Sequence, residues 1–207
     1  MSVTMTATQV TQKRTAKPTE YIWRLSVAQY HQMIRAGILT EDDPIELLEG
    51  WLVTKMPKNP PHIAILLTLR ELLEKCLPSG WYVDTQDPLT TADSQPEPDA
   101  MVVRGHWRDY LERHPNPNEV ELIVEVADST LPQDRTIKKR LYARAKIPCY
   151  WIANIPDQQL EVYTQPTGTG DDADYARREV FGLMDDAPLV IGGIKVGRVA
   201  VRELFGA

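Results

Sequence analysis

The sequence predicts an α/β (α+β) domain, a mixed β-sheet flanked by helices. Three observations carry that expectation. Val120 to Val126 is apolar and β-branched at nearly every position, the pattern of a central strand buried on both faces. The next segment repeats apolar residues at helical spacing (Ile137, Leu141, Ala145) and runs into a second apolar strand, Cys149 to Ala153. A strand–helix–strand unit of that length favours parallel strands joined by a right-handed crossover. Upstream, helical and strand-like segments alternate, as in a layered domain.

In chain order, residues 1 to 20 are polar and unpatterned and are expected to be a disordered tail. Residues 21 to 207 are expected to form a single domain. Arg24 to Ala36 reads as a helix with Ser26 as N-cap, Val27, Tyr30 and Ile34 on one side, and Gly37 as terminator. Pro44 to Met56 alternates on either side of Glu49-Gly50 and reads as a hairpin. His62 to Cys76 carries a broad leucine and isoleucine stripe and reads as a helix. Strands are expected at Trp81 to Leu89 and Asp99 to Val103, with a helical turn between His106 and Arg113. Asp134 to Lys146 is expected to be helical. Further strands fall at Gln159 to Tyr163 and Glu179 to Leu183, Gly168 to Asp174 reads as a flexible acidic connection, and Val199 to Phe205 closes the chain as a short helix.

Composition narrows the function classes. No apolar run approaches the ~18 residues that span a bilayer, and the N-terminal stretch has no apolar leader core, so a cytoplasmic location is expected. Cys76 and Cys149 are too few for a disulfide framework and lack metal-ligand spacing. A net charge of −6 argues against a nucleic-acid coat protein, though not against an enzyme acting on nucleic acid through a local site.

Three residues stand out chemically. Asp99 opens a buried strand after Glu97-Pro98, Glu125 lies near the end of the strongest apolar strand, and Lys138 sits in the helix that follows. A carboxylate on a central strand is costly to bury unless it is paired or bound to a metal. Two strand-borne carboxylates form a hard oxygen site suited to Mg²⁺ or Mn²⁺. A nearby lysine can orient and help deprotonate a water, or stabilise charge on a phosphate. Glu46, in the hairpin, and His62, at the start of a helix, are secondary candidates for the same cleft. Glu121 shares the expected face of Glu125 and reads as structural. Tyr142 reads as packing support beside Lys138, and Asp134 as a helix cap. Arg135, Lys138, Lys139, Arg140, Arg144 and Lys146 form the densest basic run. It reads either as phosphate-backbone contact or as an ordinary solvated helix face.

The pattern of Pro98-Asp99, Glu125-Val-Ala127 and Lys138 resembles the PD-(D/E)XK nuclease superfamily. More narrowly, the chain resembles the Uma2 family of restriction-endonuclease-like proteins. The matching stretches are Ile45-Glu-Leu-Leu-Glu-Gly50, Glu97-Pro-Asp99, Leu122-Ile-Val-Glu-Val126 with Asp128-Ser-Thr130, and Asp134-Arg-Thr-Ile-Lys138 through Tyr142-Ala143 to Tyr150-Trp-Ile152. The resemblance implies a restriction-endonuclease-like core with Asp99 and Glu125 as metal ligands and Lys138 as the catalytic lysine. It also implies a Mg²⁺- or Mn²⁺-dependent endonuclease acting on nucleic acid, DNA before RNA. A homodimer is compatible with that activity, because cutting both strands of a duplex needs two sites, though no motif in the sequence fixes it. One departure is visible: the superfamily lysine lies two residues after the glutamate, where this chain has Ala127, and the lysine is supplied from the next helix instead. The alternatives are a catalytically silent nuclease fold that binds nucleic acid or a protein partner, and a hydrolase of another phosphate ester.

Overall fold

The computed structural model of the protein describes residues 22–40 and 42–206. The expected disordered tail lies outside the described residues. The first helix, α1 (Val27–Arg35), begins where Ser26 Oγ accepts from Gln29 N at 3.2 Å and Gln29 Oε1 accepts from Ser26 N at 2.9 Å, a reciprocal cap. The expected hairpin forms from β1 (Ile45–Leu48) and β2 (Trp51–Thr54), antiparallel across Glu49 and Gly50. Both turn residues take positive φ (51° and 81°), the backbone a tight two-residue turn requires. Helix α2 (Pro60–Glu74) starts two residues earlier than expected, because Asn59 caps it and the prolines Pro60 and Pro61 fit its first turn.

The main sheet has six strands in the order β3 (Trp81–Asp84), β4 (Ala100–Arg104), β5 (Val120–Ala127), β6 (Cys149–Asn154), β7 (Gln159–Thr167) and β8 (Asp174–Phe181). Only the β5–β6 pair is parallel, which is the expected strand–helix–strand unit. Between these two strands the chain runs through α3 (Leu131–Gln133), a π-helical turn (Asp134–Lys138) and α4 (Lys139–Arg144). Strand β3 stops at Asp84, short of the expected Leu89. Strands β7 and β8 are longer than expected. The stretch between them is a short turn with a 3₁₀ segment, Gly170–Asp172. A second hairpin, β9 (Asp186–Ile191) and β10 (Ile194–Ala200), was not foreseen, and α5 (Val201–Leu204) closes the described chain.

Side-chain alternation on β5 divides the core. Leu122, Val124 and Val126 face α2, α5 and the β9–β10 hairpin, with Trp151 and Ala153 beside them. Ile123 and Ala127 face α4 and the first hairpin, with Tyr150 and Ile152. Glu125 lies between Ile123 and Ala127 on that second face. Glu121 does not, contrary to expectation. The β4–β5 register slips between Val102 and Val103, so Val102 pairs with Leu122 but Val103 with Val120, leaving Glu121 unpaired in the ladder. The bulge lets Glu121 Oε1 accept from Gly192 N at 2.9 Å, in the β9–β10 turn. No helix among the described residues is long and apolar enough to cross a membrane.

Candidate active site

Five elements converge on one cleft of about 540 Å³. The β1 strand presents Glu46, the first turn of α2 presents His62, and the residue before β4 is Asp99. Strand β5 presents Glu125, and the π turn presents Asp134 and Lys138. All five residues expected from the sequence (Glu46, His62, Asp99, Glu125 and Lys138) therefore line the same cavity. Glu46, Asp99, Glu125 and Asp134 are each between 2% and 7% exposed, and Lys138 is 8% exposed, so the charges are largely withdrawn from bulk water.

Lys138 is the hub. Its Nζ donates to Glu125 Oε1 at 2.9 Å and lies 3.7 Å from Glu46 Oε1. Tyr142 OH donates to the same Glu125 oxygen at 2.7 Å. Asp99 is oriented separately: its Oδ2 accepts the Val126 amide at 2.8 Å, and its Oδ1 faces His62 Nε2 at 3.0 Å and Lys58 Nζ at 3.7 Å. Glu46 Oε2 accepts from Glu97 N at 3.1 Å, tying the hairpin to the segment that carries Asp99. Asp134 Oδ2 is buried with no hydrogen-bond partner among the described residues, an arrangement that costs roughly 1–3 kcal/mol.

The π turn explains why three polar residues of one helical stretch reach the same place. In a regular α-helix, side chains at i, i+4 and i+8 drift by about 40° per step. A π turn absorbs an extra residue and turns the drift back. Asp134, Lys138 and Tyr142 thus share one buried line above Glu125. Reading Asp134 as a helix cap and Tyr142 as packing support understated both residues. Their four-residue spacing with Lys138 was the signal that could have found them.

Burial pushes the Glu125 carboxyl up to about 8; Lys138 opposes this, while Asp99, Asp134 and Glu46 reinforce it. Burial likewise pushes Asp134 up to about 6, against the pull of Lys138. For Asp99 burial also acts upward, but the His62 ring, the Val126 amide and Lys138 outweigh it and hold the carboxyl below its ordinary value. Burial alone would depress Lys138, yet Glu125, Glu46 and Asp134 hold it well above the usual lysine range. Lys138 is therefore an ammonium at neutral pH, which suits charge stabilisation and does not suit proton abstraction.

The basic run fares differently. Arg135 donates to Glu161 (Nε to Oε1, 3.0 Å), and Lys139 pairs with Asp174 at 2.7 Å. Arg140 and Arg144 both hold Glu49, at 2.6 and 3.2 Å, and Lys146 donates to the Gly168 carbonyl at 2.9 Å. Each cation of the run has a partner in another element, tying the first hairpin and the β7–β8 turn to the helix. Apart from Lys138, none of these residues lines the cleft.

Among the described residues, no three or more His, Cys, Asp or Glu side chains converge closely enough to enclose a metal ion. The donors still fit one kind of cation. Mg²⁺ commonly takes one or two carboxylates, fills its remaining positions with water and substrate phosphate, and needs no protein cage. Asp99 and Glu125 offer such a pair at the wall of an open cleft. Four buried carboxyl groups share one buried ammonium, an excess of acidic groups that a bound cation would help to ionise.

No functionally curated protein matches the chain. Among solved structures, one similar chain is described as a "putative nuclease belonging to DUF820" from Anabaena variabilis. It is 18% identical, with a TM-score of 0.58, and the match covers 83% of this chain and 95% of that one. At that identity the likeness is one of fold, and the fold is that of the expected nuclease-like core. The sequence itself matches a family model over residues 27–196, nearly all of the described chain. The chain belongs to the Uma2 family, described as "Putative restriction endonuclease".

Proposed function

We propose that the protein is a Mg²⁺- or Mn²⁺-dependent endonuclease that hydrolyses phosphodiester bonds of nucleic acid, DNA in preference to RNA. The observation that carries this reading is the excess of buried carboxylate around Lys138 in a cleft open to solvent. Asp99 and Glu125 are the ligands. A divalent cation held there supplies a Lewis acid for the phosphoryl oxygen and a more acidic bound water. The other residues act by position and charge. Lys138 and Tyr142 fix the Glu125 carboxylate through their shared hold on Oε1, and the Lys138 ammonium stabilises negative charge developing on the phosphate. His62 and the Val126 amide fix Asp99. Glu46 sets the second side of Lys138. The location is cytoplasmic, and a homodimer would bring two clefts to the two strands of a duplex.

The test is nicking of supercoiled plasmid in Mg²⁺ or Mn²⁺, run beside thermal unfolding with and without the cation. Wild type should nick, and Asp99→Ala and Glu125→Ala should lose at least about a thousandfold in rate while remaining folded. The cation at ten times its Kd should stabilise wild type by about 1.4 kcal/mol and the variants hardly at all. A wild type that cuts neither duplex, single strand nor RNA, and gains no stability from either cation, would instead point to a silent fold that binds nucleic acid or a protein.

A further inference from the structure

The cleft poses an electrostatic problem for its own substrate. Asp42, Asp43, Glu97 and Asp128 line its mouth outside the four buried carboxylates, and the helix that carries the dense basic run offers no free cation to it. A phosphodiester backbone approaching such a wall needs a positive contact besides any bound metal.

The N-terminus of α2 opens onto the cleft but cannot supply that contact. Pro60 and Pro61 have no amide hydrogen, His62 N donates to Asn59 Oδ1 at 3.0 Å, and Ile63 N donates to the Asn59 carbonyl at 3.2 Å. The first turn is already satisfied. The cation must come from a side chain, and among the described residues three lysines line the cavity. Lys138 is buried and locked on Glu125 at 2.9 Å, and Lys55 is locked on Glu97 at 2.7 Å. Among the described residues Lys58 has only a long contact, 3.7 Å to Asp99 Oδ1, and its side chain is 37% exposed. Its backbone is better fixed than its tip. The next residue, Asn59, caps α2 and donates from Nδ2 to Asp128 Oδ2 at 2.7 Å, pinning the loop to the end of β5.

We propose that Lys58 is the phosphate-binding residue of the cleft mouth, contacting the nucleic-acid backbone next to the Asp99 metal position. The inference rests on the nuclease reading above. It has two consequences of opposite sign. Lys58 attracts the polyanion, and its ammonium beside Asp99 repels a second cation at that carboxylate. Removing its charge should weaken nucleic-acid binding and tighten divalent-cation binding together.

The experiment uses the full chain, with Lys58→Gln and Lys55→Gln compared against wild type. Binding of short fluorescent duplex DNA, single-stranded DNA and RNA is titrated in Ca²⁺ buffer over a salt series, and Mn²⁺ binding is measured by calorimetry without nucleic acid. For Lys58→Gln, affinity for the preferred nucleic acid should fall about fivefold and the salt slope by about one counter-ion. Its Mn²⁺ affinity should rise about threefold. Lys55→Gln, with a comparable exposure but a tight partner, should match wild type in both. An unchanged salt slope in Lys58→Gln, with wild type binding normally, overturns the proposal and leaves the nuclease reading standing. An equal loss in Lys55→Gln also overturns it, since any cleft charge would then serve. A lost slope with unchanged Mn²⁺ affinity overturns the coupling to Asp99. Wild type that binds neither nucleic acid nor Mn²⁺ overturns both readings.

Discussion

Two buried glutamates stand on the same face of the main sheet with one residue between them. Glu125 on β5 is level with Ile152 on β6, which is level with Glu161 on β7. Each accepts a hydrogen bond from a tyrosine hydroxyl, Tyr142 at 2.7 Å and Tyr163 at 2.6 Å. Each also receives a cation from the π turn, Lys138 for Glu125 and Arg135 for Glu161. Their surroundings then diverge. Glu161 is also held by Arg178 at 3.1 Å and by Asn154 Nδ2 at 3.1 Å. Burial acts upward on its carboxyl, but the Arg135, Tyr163, Asn154 and Arg178 hydrogen bonds bring it down to about 2. Glu125 shares a single ammonium with Glu46, and burial, reinforced by the neighbouring carboxylates, pushes it up to about 8. One glutamate is saturated with donors and acts as a staple between the sheet and the helical stretch. The other shares one ammonium beside an open cleft, which is what the proposed cation site requires.

The largest expected effect separates the two by stability. Glu161→Gln removes the buried anion that holds Arg135 and Arg178 and should cost about 3 kcal/mol, within the range for breaking one side of a buried pair. Glu125→Gln replaces a carboxyl that its surroundings keep largely protonated at neutral pH and leaves Lys138 with Glu46, so it should change stability by less than about 1 kcal/mol while removing cleavage. Urea denaturation at neutral pH, alongside the nicking assay, decides the matter. Equal losses of stability in the two variants would mean that Glu125 is a staple as well.

The pH dependence sharpens the same contrast because the signs are opposite. Glu161 is depressed from 4.5 to about 2, so its contribution is complete above 4.5 and is lost as pH falls toward 2. At 1.36 kcal/mol per pKa unit, that contribution is about 3 kcal/mol. Glu125 is raised from 4.5 to about 8, so the folded state is favoured below 4.5 and loses that advantage as pH rises through 8. In the absence of divalent cation, wild-type stability should therefore fall at both ends. Glu161→Gln should flatten the acid limb only, and Glu125→Gln the limb between pH 5 and 8 only. A limb that survives its own variant removes that glutamate as its cause.

Much of this was legible in the sequence, because the strongest signals are local. The apolar run of β5 identifies the central strand, and any carboxylate on it calls for an explanation, so Glu125 could be found from periodicity and burial cost alone. Asp99 and Lys138 came from the combined pattern, and the structure brings both to Glu125. What escaped depends on contacts distant in sequence or on irregular backbone. The bulge at Glu121 is a slip between strands and leaves no mark in a one-strand pattern. The fate of the basic run depends on Glu49, Asp174 and Glu161, each brought in from another element. The β9–β10 hairpin was readable, since Gly192-Gly193 between two short apolar runs is a two-residue turn signal. Pro188 and the charged Lys195 and Arg198 blurred the alternation on either side.

The smallest effect lies in the two tyrosines, where the comparison is cleanest. Each hydroxyl donates to one glutamate, and replacing it with phenylalanine keeps the ring packing (Tyr142 and Tyr163 each lie against Tyr150, with centroids 5.1 and 5.8 Å away). Hydrogen bonds to charged groups contribute about 1.5–3 kcal/mol. For Tyr163→Phe the loss should fall at the low end, because Glu161 retains Arg135, Arg178 and Asn154. It should appear in stability and leave the cleavage rate within about twofold of wild type. For Tyr142→Phe the carboxylate loses one of the two donors that hold its Oε1, and Lys138 alone must keep it pointed at the cleft. That looser ligand should lower the cleavage rate by about tenfold, with a smaller change in nucleic-acid affinity, because positioning of a reacting group acts mainly on turnover. If Tyr163→Phe slows cleavage as much as Tyr142→Phe, the two glutamates work as one network across Ile152, and the division between staple and site fails.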